Sequence, residues 1–269
     1  MSGGDTAATP GADRPPPGRS NGAARSGSNG AARSGPDGAR VALVSGGNRG
    51  IGLGVVRRLA ERGMRVVLGT RSRESGQAAV EVLGDVADRV AVRQLDVTDP
   101  DSVARLAQWL GDRLGRCDVL VNAASVLLDD AGDGLDLPLD VARRTLETNL
   151  LGTWRLTQAI VPLMRARHYG RIVNISSDLG SLAGMRRGFP AYRVSKAAVH
   201  ALTRTLADEL AGDGILVNAC CPSLPSPERA GAGRPLRVAT SFRTPLWLAT
   251  LPQDGPTGGF YRSRVPVPW

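Results

Sequence analysis

The stretch RVALVSGGNRGIGLGVVRRLAERG, Arg40 to Gly63, decides how the chain folds. Its first part, RVALVSGG, is a short apolar run, rich in β-formers, that ends in glycines. Its second part, IGLGVVRRLAERG, sets Ile51, Val55, Leu59 and Ala60 at helical spacing. A strand with so little polar alternation is buried on both faces, which is the condition of strands in a parallel sheet.

The alternation continues downstream. MRVVLGT, RVAVRQLDV, DVLVNAA, GRIVNISS and GILVNACCPS read as the second to sixth strands, and GGFYR as a short seventh. Amphipathic stretches at residues 101–114, 139–168 and 191–210 supply helices between them. Apolar strands separated by helix-length segments predict an α/β fold: a doubly wound parallel sheet, Rossmann-like, in a single domain over residues 40–269. Ligands of such sheets sit at the carboxyl ends of the strands, where the motifs below fall.

Residues 1–39 differ. They are rich in Gly, Ala, Ser, Pro and Arg, and the unit NGAARSG occurs twice. So little apolar surface cannot offset the entropy of ordering, so a disordered tail is expected there. Its arginines are interspersed with aspartates and lack aromatic neighbours, which weighs against a nucleic-acid arm. No secretory signal or membrane span is expected, since no apolar run approaches about eighteen residues. Cys117, Cys220 and Cys221 lie in apolar surroundings and read as buried free thiols of a cytoplasmic protein. With two histidines outside any Cys/His spacing, no metal site is expected. The net charge of +9 comes from arginines scattered along the chain, which suits an arginine-rich composition better than a nucleic-acid partner.

The first strand ends in SGGNRGIG, with Gly46, Gly50 and Gly52 spaced G-x-x-x-G-x-G between strand and helix. Glycines there let the backbone approach a pyrophosphate and aim helix N–H groups at it. Gly46, Asn48, Arg49, Gly50, Ile51 and Gly52 are therefore candidate dinucleotide contacts, although the usual G-x-G-x-x-G order is not met. About twenty residues on, NAD sites carry an acid for the ribose 2′-hydroxyl. Here the second strand ends GTRSRE, with Arg71 at that point. Arg71 and Arg49 suit a 2′-phosphate, so NADP(H) is the expected cofactor.

In AYRVSKAAVH, Tyr192 and Lys196 stand four apart at the start of a predicted helix, on one face. Lys196 is the only lysine of the chain. An ammonium beside a phenol is expected to lower the phenol's pKa and make it a usable general acid. His168 and His200 read as surface or helix residues rather than bases.

The glycine turn, Tyr192-x-x-x-Lys196 and RIVNISS together resemble a short-chain dehydrogenase/reductase, from about Arg40 to Trp269. VVLGTRSRESGQAAV and LATLPQDGPTGGFYRSRVPVPW are similar, more narrowly, to NADPH-dependent carbonyl reductases. The resemblance implies a reductase of ketones or aldehydes, acting on a small-molecule carbonyl substrate, often as a homo-oligomer. It implies that Tyr192 protonates the substrate oxygen, Lys196 bonds the nicotinamide ribose, Ser177 positions the carbonyl, and Asn149 holds a water of the proton relay. It implies adenine contacts at Asp96 and Val97, and cofactor contacts at Asn122 and Pro222. The family's Asn-Asn-Ala-Gly reads NAAS here, with Ala123 and Ser125 substituted; Pro-Gly becomes Pro222-Ser223, and Pro227 replaces a threonine. Residues 223–243 are expected to form the substrate lid. These departures leave two alternatives open: a nucleotide-binding regulatory protein, or a redox-neutral cyclase or isomerase on the same fold.

Overall fold

The computed structural model describes Met1 and residues 38–129, 133–222 and 242–269. The expected tail and lid therefore lie outside the described residues, apart from Met1, Gly38, Ala39, Phe242 and Arg243.

The motif stretch folds as read. Strand β1 (Val41–Ser45) is buried throughout and leads through the glycine turn into helix α1 (Gly50–Glu61). After it come β2 (Arg65–Thr70), α2 (Arg73–Glu81), β3 (Val90–Gln94), α3 (Pro100–Leu114) and β4 (Val119–Asn122). The second half holds α4 (Leu139–Leu146), α5 (Gly152–Arg165), β5 (Gly170–Ile175), α6 (Pro190–Glu209), β6 (Ile215–Cys221), α7 (Arg243–Ala249), β7 (Phe260–Arg262) and β8 (Val265–Pro266).

These strands form one eight-stranded sheet in the order β3-β2-β1-β4-β5-β6-β7-β8, parallel except for the antiparallel β7–β8 pair. The chain reverses its direction of winding between β1 and β4, so a crevice opens beyond the carboxyl ends of these two strands. Along β1, Ala42 and Val44 belong to one core and Val41 and Leu43 to the other. Alternation along a strand thus feeds two cores, one on each face. The first is closed by Val55 and Leu59 of α1 with Leu246 and Leu248 of α7. The second is closed by Leu106 and Leu110 of α3, Ile160 and Met164 of α5, and Leu202 and Leu206 of α6. A buried ion pair fastens the sheet's lower edge: Arg116 donates to both oxygens of Asp118, at 2.8 and 2.6 Å, and Asp118 also accepts from Val41 N at 2.7 Å.

Two helices are present that apolar periodicity did not announce. Helix α2 buries only Gly76 and Ala79, so its stripe is faint. Gly76 is required there, since a Cβ would lie 2.5 Å from Val92 Cγ1. Helix α7 is a short segment of seven residues. The single helix expected over residues 139–168 is interrupted by a π-helical turn, Glu147–Leu151, between α4 and α5. The wider turn carries Asn149 inward, where it is 1% exposed.

Candidate active site

At the crevice a cleft of about 750 Å³ runs from the glycine turn, past the ends of β1, β4 and β5, to the start of α6. Its floor at one end is backbone. Gly46 has φ of +64°, and a Cβ on Gly52 would stand 2.3 Å from Gly46 O, so turn and helix meet only without side chains. No side chain caps the start of α1, and Gly50, Ile51 and Gly52 line the cleft there. Asn48 donates to Ser75 Oγ at 3.2 Å, tying the turn to α2. Arg49 and the exposed Arg71 flank this end together with Thr70 and Ser72. A backbone cradle with no Cβ and two guanidiniums at its rim fits a phosphorylated dinucleotide.

Asp96 and Val97 lie along the wall, as expected. Asp96 Oδ1 is occupied in shaping its own loop, accepting from Thr98 N at 2.9 Å and Thr98 Oγ1 at 2.7 Å. Pro222 lines the opposite end. Asn122 does not line the cleft. Its amide turns into the core, donating to Thr157 Oγ1 at 3.1 Å and Asn174 Oδ1 at 2.9 Å, and Ala123 and Ala124 take its place on the wall. Asn122 is the last residue of β4, and it is the loop from Ala123 onward that forms this part of the wall.

The far end gathers Ser177, Tyr192 and Lys196. Ser177 draws the pKa of the neighbouring Tyr192 phenol down, and Lys196 Nζ lies 5.4 Å from the phenol ring centre. Lys196 is 2% exposed and donates to Ile175 O at 3.0 Å. Asn149 sits one layer behind. Its amide accepts from Val126 N at 2.8 Å, donates to Val126 O at 2.9 Å and to Ser195 Oγ at 3.0 Å, and so fastens the cleft wall to α6.

The electrostatics correct one expectation. Burial pushes the Tyr192 phenol up to about 12, despite the hydrogen bonds from Ser177 and Ser125 that draw it down. Burial likewise brings the Lys196 ammonium down to about 8. The loss of hydration outweighs the ammonium's attraction for a phenolate, because the ammonium is held against a backbone carbonyl beside the ring. At neutral pH the site therefore holds a protonated phenol, the form that can donate.

His200 is a residue of helix α6, on its buried side. It is 4% exposed, lies within hydrogen-bonding distance of Ser176 Oγ at 2.8 Å and packs against Phe260 at 4.2 Å. Burial first, then the charge of Lys196, lowers its pKa to about 4, so it is neutral. His168 is exposed, as expected. Cys117 and Cys220 are buried free thiols, whereas Cys221 is half-buried and lines the cleft.

Two side chains here escaped the sequence reading. Ser125 Oγ donates to Asn149 Oδ1 at 3.1 Å as well as meeting the phenol. Asp129 Oδ2 accepts from Ala191 N at 2.8 Å and Tyr192 N at 3.2 Å, capping α6 from another element. The missing local cap on that helix, which begins Phe189-Pro190, was the only signal available. Among the described residues no His, Cys, Asp or Glu cluster could hold a metal ion, and no helix is long and apolar enough to cross a membrane.

Comparison with known proteins agrees with this geometry. Residues 40–231 match the family model described as short chain dehydrogenase. "Carbonyl reductase [NADPH] 1" of Sus scrofa is 33% identical over 86% of this chain and 94% of its own length. Menthone neomenthol reductase from Mentha piperita superposes with a TM-score of 0.70 at 28% identity, covering 82% of this chain and 98% of its own. The structure of ElxO with NADP bound gives a TM-score of 0.65 at 32% identity, over 68% of this chain and 73% of its own.

Proposed function

We propose that this chain, which belongs to the short-chain dehydrogenase family and is thus an oxidoreductase, reduces a ketone or aldehyde to an alcohol with NADPH, Tyr192 supplying the proton. The observation that carries this reading is a single cleft joining the glycine turn and Arg71 at one end to Ser177, Tyr192 and Lys196 at the other. NADPH, when bound, supplies hydride from nicotinamide C4. The chain's own residues do the rest. Gly46, Gly50 and Gly52 admit the pyrophosphate, and Arg49 and Arg71 favour a phosphate over a hydroxyl at the adenosine ribose. Ser177 donates to the carbonyl oxygen and holds it near the Tyr192 hydroxyl. Tyr192, protonated at neutral pH, gives its proton to that oxygen as charge develops on it. Lys196, still largely charged at neutral pH, stands beside the phenolate that remains.

The coenzyme assignment draws support from the absence of an acid after β2, where Thr70-Arg71-Ser72 stands instead. It also draws on the relative named as an NADPH carbonyl reductase and the neighbour solved with NADP. The same cleft suits a small-molecule carbonyl substrate, since Leu127 and Leu179 line it together with Ser177 and Tyr192.

The test is NADPH consumption against a panel of ketones and aldehydes, with wild-type protein and Tyr192→Phe. The variant should bind NADPH like the wild type and lose at least about a hundredfold in turnover, the usual worth of a positioned proton donor. Undiminished turnover by Tyr192→Phe would remove Tyr192 from the mechanism.

A further inference from the structure

The wall that follows β4 meets the catalytic helix at two points. The first is Ser125. It lines the cleft beside Tyr192, near enough to draw the phenol's pKa down, and its hydroxyl donates to Asn149 Oδ1 at 3.1 Å. Asn149 in turn holds the backbone of Val126 by both amide groups, so Ser125 is clamped from behind and from the next residue. The hydroxyl has a single proton and two acceptors within reach, the asparagine oxygen and the phenol oxygen. When Tyr192 loses its proton, the serine can turn its own proton to the phenolate.

The second is Asp129. Helix α6 begins with Phe189 in the left-handed region, at φ +55°, and no side chain of its own caps it. Asp129, 5% exposed, fills that role from outside the helix, taking the N–H groups of Ala191 and Tyr192 on Oδ2. A carboxylate at this place satisfies two unpaired donors of the helix and complements its dipole. It also sets a negative charge at the root of the residue that must become a phenolate.

We propose that Ser125 and Asp129 are, respectively, a catalytic hydroxyl and a positioning carboxylate of this active site, gripping Tyr192 from opposite ends and acting on its proton with opposite sign. This rests on Tyr192 being the proton donor. Ser125 favours release of the proton and Asp129 opposes it, whereas both hold the ring in place. The other groups facing the phenol are Ser177 after β5, Cys221 at the end of β6, and Lys196 on the same helix. Asp178 is held away in an ion pair with Arg262 at 2.7 Å. None of these is altered by substitution at residues 125 or 129.

The experiment is a pH-jump titration of tyrosinate absorbance in the intact protein without added substrate. The chain has three tyrosines, so the step that Tyr192→Phe removes belongs to Tyr192. Asp129→Asn keeps an oxygen for the helix N–H groups and removes the charge; its Tyr192 midpoint should fall by about half a unit or more. Ser125→Ala should move the same midpoint upward. Asp129→Ala, which also removes the cap, should melt at a lower temperature, with Asp129→Asn restoring most of the loss. Unchanged midpoints in both Ser125→Ala and Asp129→Asn would overturn the inference, as would shifts in the same direction. Shifts of opposite sign in a protein that oxidises no NADPH would leave this inference standing and sink the proposed reductase activity. Equal midpoints in an active enzyme would do the reverse.

Discussion

Lys196 is the residue on which the chemistry narrows. The chain writes every other basic charge as arginine, and here it places a compact ammonium, 2% exposed, against the Ile175 carbonyl and beside the Tyr192 ring. A guanidinium is planar, larger and never neutral, and the backbone of Gly180 packs directly on the lysine's own backbone and Cβ. Lys196→Arg should therefore fold and bind NADPH, yet lose most turnover, by about a hundredfold or more. The lysine's lowered pKa carries a second expectation. Because Lys196 loses its proton near 8, well before Tyr192 near 12, reductive turnover should be level through neutral pH and fall above about 8. A rate that stays level to pH 10 or beyond would show that the charge of Lys196 is not needed. The Tyr192–Lys196 pair was legible from its spacing together with the chemistry of an ammonium beside a phenol and the resemblance of the surrounding motifs. Its acidity was not, because burial and a carbonyl partner 21 residues away set it, and neither is written in a local pattern.

At the scale of elements, helices and strands are held in place by side chains that cross between them. Asp118 joins the starts of β1 and β4 and neutralises Arg116, both nearly free of solvent. Asp118→Ala should lower unfolding stability by about 3–5 kcal/mol, read by urea denaturation, because it removes the carboxylate that pairs with a buried guanidinium and accepts from Val41 N. His200 packs the middle of α6 against Phe260 of β7 and the terminal Trp269. Its folded pKa of about 4 lies below its unfolded value, so the unfolded chain takes up the proton first. Stability should therefore fall as pH drops from about 6.5 towards 4, by up to about 3 kcal/mol from this group. His200→Gln should flatten that slope. Apolar runs in the sequence foretold β1 to β7, since burial on both faces leaves a plain signal. The π-helical turn at Glu147–Leu151 left none, and the remote cap on α6 left only the missing local cap, because each arises from contacts that exist only after folding. Helix α2 was hidden for a different reason: it meets the sheet through Gly76, a residue that weakens any helical pattern.

For the molecule as a whole, the doubly wound sheet brings residues from distant parts of the sequence, Gly46 to Pro222, into one cleft. Binding a dinucleotide along it should stabilise the fold by mass action, about 2.7 kcal/mol at a hundredfold excess over Kd. The melting temperature should rise more with NADPH than with NADH at equal concentration. Arg71→Ala should weaken NADPH binding about tenfold to a hundredfold while changing NADH little, the worth of one charge-assisted contact to a phosphate. Sequence order revealed this assembly because the glycine turn, Arg71, Asp96 and Ser177 follow the ends of β1, β2, β3 and β5, and strand ends converge. Asn122 was misplaced because the same logic does not say which way the last side chain turns. The central claim is that hydride and proton meet a carbonyl inside this one cleft. It is tested most directly by supplying NADPH that carries deuterium at the transferring position of nicotinamide C4, with a reducible ketone, and analysing the product. The account predicts an alcohol with deuterium on its carbinol carbon, formed in step with NADPH loss. Product without deuterium, or formed with no loss of NADPH, would contradict it.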